Sequence, residues 1–105
     1  MLKHNREFQQ VYRKGKSAHS RALVLFYLPH IPSVSVGFTA SKKVGNAVKR
    51  NRAKRRMRAL FQRSETQMAA GGYVLVAKAE TVDIPFEVLE KAFVKMLGQV
   101  GALQS

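Results

Sequence analysis

Cysteine is absent from this chain, acidic residues are few, and no apolar run approaches the ~20 residues of a membrane span. The first absence excludes disulfide staples, thiolate zinc sites and thiol catalysis, and fits a reducing compartment. The third excludes a membrane helix, and the opening MLKHNREFQQ lacks the apolar stretch of an export signal, so a soluble cytoplasmic protein without a membrane partner is expected. Repeats, low-complexity segments and linkers are missing too. At 105 residues the chain has room for a single domain, residues 1–105, and not for two.

What is present is a core and a charge. Hydrophobic residues make up 46% of the chain, with six Phe and three Tyr, enough to fold around despite the charge excess. Lys and Arg number 19 against six Asp and Glu, a formal net charge of +13. The placement is more informative than the total. Met1 to Ser64 holds sixteen bases and one acid, Glu7, whereas Glu65 to Ser105 holds three bases and five acids. A field so concentrated repels itself unless a polyanion, most often nucleic acid, supplies counter-charge.

Periodicity gives the elements. Asn5 suits the cap of a short helix carrying Phe8, Val11 and Tyr12 at i, i+3 and i+4, and Gly15 is placed to end it in the left-handed conformation. The run from Ala22 to Leu28, stopped by Pro29, reads as a buried strand. After the loop His30 to Ser33, Val34, Val36, Phe38 and Ala40 alternate with small and polar residues as in a strand covered on one face, and the two strands are expected to pair as a hairpin. Ser41 to Val48 reads as a basic loop, followed by a helix with Ala53, Met57, Leu60 and Phe61 inward and Arg52, Arg55, Arg56 and Arg58 outward. Gly71 and Gly72 break the chain before the strand Tyr73 to Ala77. Asp83 and Pro85 then start a helix with Phe86, Leu89, Phe93, Met96, Leu97 and Val100 inward. The order α, β, β, α, β, α implies an α+β layer with helices on one sheet face.

The segment SKKVGNAVKRNRAKRRMRALF, Ser41 to Phe61, holds nine bases and no acid. A solvated helix face laced with i, i+4 ion pairs is the ordinary alternative, and the segment offers no carboxylate to pair with. Guanidinium forks on one face suit bidentate phosphate contact and stacking on bases. Hydrolysis of RNA by the protein itself would need clustered carboxylates or His to hold metal ions. The basic part offers only Glu7, while His4, His19 and His30 stand 15 and 11 residues apart without acidic neighbours. They read as surface or RNA-contacting residues, with no metal site, and the later acids Glu65, Glu80, Asp83, Glu87 and Glu90 mostly flank helix starts.

The same segment, with its Arg50, Asn51, Arg52 triplet, resembles the signature of the bacterial ribonuclease P protein subunits, as do NREFQQVYRKG at the start and GYVLVAK before the last helix. The resemblance implies an α/β sandwich of order αβββαβα on a four-stranded sheet (ribosomal protein S5 domain 2-like). It also implies a short extra strand near Lys16 to Ala18 and a left-handed crossover around the basic helix, although about 98% of such connections are right-handed. It implies a monomeric protein, one per catalytic RNA subunit, that binds that RNA and the 5′ leader of precursor tRNA. The chemistry and the Mg²⁺ of the holoenzyme would reside mainly in the RNA, leaving the protein alone inactive and without a cofactor of its own. Carried over position by position, Lys42, Lys43, Asn46, Arg50, Asn51, Arg52, Lys54, Arg55 and Arg58 would face the RNA subunit. Phe8, Tyr12 and Phe26 would line a leader-binding cleft between the first helix and the sheet, the alternative being that these aromatics are simply core. A ribosomal protein would share the charge and the small α+β fold. A DNA-binding architectural protein and a cationic membrane-surface protein fit less well, because the apolar face of the basic helix is needed against the sheet.

Overall fold

The computed structural model describes residues 5–29 and 33–103, with side chains of the first helix from residue 9 onward. Helix α1 spans Asn5–Lys14, followed by strands β1 (Lys16–His19), β2 (Leu23–Leu28) and β3 (Val34–Thr39). A 3₁₀ turn, Lys42–Val44, leads into α2 (Ala47–Ser64); β4 (Gly71–Ala77) and α3 (Phe86–Gln99) complete the set, with further 3₁₀ turns at Glu65–Gln67 and Ala79–Val82. The chain is thus α+β, with the short strand at Lys16 present. No described helix is long and apolar enough to cross a membrane.

The sheet order is β1-β2-β4-β3, antiparallel except for the parallel pair β3 and β4. The expected hairpin of β2 and β3 does not form, because β4 lies between them. Burial explains the order. Tyr73, Val74 and Leu75 are all fully buried, so β4 needs cover on both faces and both edges, and the largely apolar β2 (LVLFYL) belongs beside it. The polar β1 and the Ser- and Gly-containing β3 tolerate the edges.

The helices do not share one face, as the sequence reading had them. Leu23, Leu25, Tyr27, Tyr73 and Leu75 turn toward Ala53, Met57 and Leu60 of α2 and Leu89, Phe93 and Leu97 of α3 to make the main core. On the reverse face, Val11 of α1 packs with Val74, Phe26, Leu28 and Val76 in a smaller cluster. Each fully buried large apolar side chain contributes roughly 1.5–3 kcal/mol. Most of the burial among the described residues therefore lies under α2 and α3, and Val11 is the described anchor of α1.

Two glycines act differently from expectation. Gly15 ends α1 by donating to the Val11 carbonyl, 2.9 Å, but its φ is not positive. A Cβ there would collide with the backbone carbonyls of Val11 and Tyr27, and close approach is why glycine stands there. Gly71 and Gly72 do not precede the last strand but begin it, opposite Val34 and Ser35 of β3.

Candidate nucleic-acid interface

The basic segment is ordered, not a loop. Ser41 accepts from Lys43 N at 3.3 Å and starts the 3₁₀ turn, whose Val44 plugs into the main core. Gly45, at φ 138°, reverses the chain, and the Asn46 side-chain oxygen accepts from Lys49 N at 3.0 Å to cap α2. Helical structure therefore begins at Ala47. Asn46 is committed through its oxygen to the cap, and its exposed amide group is what it can offer a ligand.

Lys42, Lys43, Asn51, Arg52, Arg55 and Arg58 are exposed, while Arg50 and Lys54 are half-buried along one side of α2. Ala40 and Ala47 with Arg50, Asn51 and Lys54 line a pocket of about 230 Å³ at the end of β3. The Arg50 Nε is buried there with no hydrogen-bond partner among the described residues. The ion pairs among the described residues, Arg21 with Glu80 and Arg63 with Glu90, leave every cation from Lys42 to Arg58 without a carboxylate. A polyanion would satisfy this surface without displacing a carboxylate.

One arginine of the outward set belongs elsewhere. Arg56 donates to the carbonyls of Thr81 (2.9 Å), Val82 (2.7 Å) and Ile84, closing the end of the 3₁₀ turn before α3. Burial, then the neighbouring Arg52, holds its pKa below the usual arginine value. Arg52 is divided, since its Nε donates to Val82 O at 3.1 Å while the side chain remains exposed. Arg58 lies over the Phe38 ring, 5.7 Å from its centroid.

On the reverse face of the sheet, Tyr12 of α1 meets Phe26 of β2 edge to face, centroids 4.8 Å apart at 82°. Tyr12 is 39% exposed and Phe26 half-buried, so neither is sealed in the core. Phe8 lies on α1, but its side chain is outside the described residues. The strand register places Ser17, Phe26, Val74 and Gly37 in one row and His19, Val24, Val76 and Thr39 in the next. Past α1, the two rows end on Gly37 and Thr39 of β3, with the Tyr12 and Phe26 pair as an aromatic wall beside them. His19 stands beside that wall, 6.4 Å from Phe26. His19, read from the sequence as a surface or RNA-contacting residue, is exposed, while Ala18 beside it points inward. Among the described residues no three His, Asp or Glu side chains gather into a metal site.

The family model for Ribonuclease P matches residues 1–101. A ribonuclease P protein component from a Nitratiruptor species is 44% identical over 99 residues, spanning 94% of this chain and 90% of that one. One from a Geobacillus species is 34% identical, with 98% and 91% covered. The solved structure of the Staphylococcus aureus RNase P protein superposes with a TM-score of 0.85 at 28% identity, covering 98% of this chain and 96% of that one. The Thermotoga maritima RNase P protein, 21% identical, gives 0.81 over 94% and 96%, a likeness of fold.

Proposed function

The chain belongs to the ribonuclease P protein family, a component of a ribonucleoprotein with an RNA subunit, and on that premise we propose that its two sheet faces hold two different RNAs at once. The α2 side, Lys42, Lys43, Asn46, Arg50, Asn51, Arg52, Lys54, Arg55 and Arg58, grips the phosphates of the catalytic RNA. The α1 side, with Tyr12 and Phe26, receives the single-stranded 5′ leader of precursor tRNA. The observation that carries the reading is the division itself: α1 packs on one face of the sheet and α2 on the other, with cations that have no carboxylate partner among the described residues on the second and half-exposed aromatics on the first.

Each surface suits its ligand. Guanidinium and ammonium groups without a carboxylate partner exchange counterions for phosphates, which gives affinity without sequence preference. Stacking on unpaired bases is equally tolerant, because every base presents a π-face, and so it suits leaders of varied sequence. The described residues gather no set of side chains that fits a metal centre. The Mg²⁺ of hydrolysis belongs to the RNA in this reading, and the protein lowers the repulsion between catalytic RNA and substrate and fixes the leader in place. One monomer per RNA subunit is sufficient for both contacts.

Reconstitution tests this. The purified chain, mixed with the cognate RNA subunit and a precursor tRNA at low Mg²⁺, is expected to raise 5′ cleavage well above that of the RNA alone. The chain without RNA is expected to cut nothing. No stimulation, or efficient cleavage by a nuclease-clean protein preparation, would overturn the proposal.

A further inference from the structure

Toward its C-terminal half, α2 and edge strand β3 enclose a second pocket, of about 350 Å³, unlike the cationic one above it. Val34, Val36 and Phe38 form one wall, and Arg58, Phe61, Gln62 and Glu65 the other. The volume is at the small end of the roughly 300–1,000 Å³ of ligand pockets. Phe38 and Phe61 meet edge to face, centroids 6.3 Å apart, and both are only half-buried. The Arg58 guanidinium stacks over Phe38, whereas Glu65 is exposed and makes no ion pair among the described residues. The outer edge of β3 carries no further strand among the described residues, so the pocket opens to solvent.

We propose that this pocket holds one unpaired guanine of a single-stranded RNA segment. The inference rests on the RNA-binding reading of α2 and extends it from phosphates to a base. Asn51, Arg55, Arg58, Gln62 and Glu65 recur at i+4, i+3, i+4 and i+3 and are all exposed, so the stripe of α2 that bears the cations runs on into this pocket. Along it the chemistry changes from guanidinium forks to an amide and then to a carboxylate, with the rings of Phe38 and Phe61 beside them in the pocket. Aromatic rings and an arginine plane take the face of an unstacked base. A carboxylate only accepts hydrogen bonds and repels phosphate, so it orients the base with a donor edge toward itself and the backbone toward Arg58. Guanine alone among the four bases presents two adjacent donors, N1–H and the N2 amino group, and its neighbouring O6 can accept from the Gln62 amide. Adenine and cytosine place a ring-nitrogen acceptor where the carboxylate needs a donor, and uracil offers a single N–H between two acceptors.

The test uses the full chain with labelled valine methyls, titrated with the single-stranded pentamers UUGUU and UUAUU. The expected result is a shift of the Val34 and Val36 methyls and the Gln62 side-chain amide, with UUGUU bound about tenfold more tightly at that site, the discrimination of one good bidentate base contact. Glu65→Gln, at an exposed position, is expected to erase the preference, and Phe38→Leu to weaken both pentamers there. Equal affinity for the two RNAs, a preference that survives Glu65→Gln, or shifts confined to Val74 and Val76 on the other sheet face would overturn the proposal. So would shifts at Val34 and Val36 that depend on protein concentration alone, which would assign the open edge to a second copy. Stimulation of cleavage by the RNA subunit is read separately, so failure of the guanine site and failure of the family role are distinguishable.

Discussion

Arg55 and Arg56 are adjacent in sequence and about 100° apart around α2, and that rotation gives them opposite tasks. Arg55 stands exposed with no partner among the described residues, while Arg56 spends its donors on carbonyls of the Ala79–Val82 turn and its neighbour Ile84. Arg55→Ala is expected to leave the melting temperature unchanged and to reduce the magnitude of the salt slope for RNA-subunit binding by roughly 0.7 to 0.9, one phosphate contact. Arg56→Met is expected to do the reverse. Losing hydrogen bonds from a charged donor to part-buried carbonyls costs about 2 kcal/mol, or a fall of about 10 °C in a domain of this size. Its binding slope, measured below that transition, should stay within half a contact of the parent's. Thermal melts and salt titrations of the two variants side by side decide the matter, and a lowered slope for Arg56→Met with an unchanged melt would return that arginine to the RNA face. Arg52 touches Val82 and solvent alike, so Arg52→Ala is expected to lower both quantities.

At the scale of elements, α1 is the helix that walls the proposed leader-binding surface. Val11 is the buried anchor described for α1, and Tyr12 beside it is partly exposed with its edge-to-face contact to Phe26. Tyr12→Ala should therefore cost little stability yet weaken precursor tRNA binding by about 1 to 3 kcal/mol, the worth of one base stack. Affinity for mature tRNA, which has no leader, should hardly change. Phe26 needs a gentler substitution because it packs against Val11 and Val74; Phe26→Leu keeps the apolar contact and removes the ring. Equal losses for precursor and mature tRNA in binding assays would show that the leader takes another path. The elements themselves were legible: the period of 3.6 placed Ala53, Met57 and Leu60 inward, and alternation placed β3. Strand pairing was not, because adjacency in sequence favours a hairpin, whereas β4 must be covered on both faces and takes the central position from a distance. The start of α2 was hidden for a local reason, as Val44 belongs to a separate 3₁₀ turn and so breaks the helical stripe. The basic face could be read as a density of charge, but Arg56 could not be separated from it, since its acceptors lie 25 to 28 residues away in the chain.

For the whole molecule, the question is whether RNA affinity follows the total charge or its position. Lys42 and Lys43 sit before the first turn of α2, and Lys91 and Lys95 line a cavity with Arg63, Ser64 and Gln67 at its far end. The 18 residues of α2 rise about 1.5 Å each, so the two lysine pairs stand some ~25 Å apart. That is about three Debye lengths at physiological salt, where the screening length is ~8 Å. Lys42→Glu with Lys43→Glu and Lys91→Glu with Lys95→Glu change the formal charge equally, and all four lysines are exposed, so neither pair should disturb the core. If the cationic end of α2 is the RNA-subunit face, the first double variant should lose about two phosphate contacts from its salt slope and most of its stimulation of cleavage at low Mg²⁺. The second should retain both near the parent values at 0.15 M salt and differ from the parent mainly at low ionic strength, where screening is weak. Salt titrations of the two variants against the RNA subunit make the comparison. Equal losses at physiological salt would mean that the protein acts as a diffuse polycation, and the cationic end of α2 would then have no special claim to the RNA subunit over the α3 end of the same sheet face.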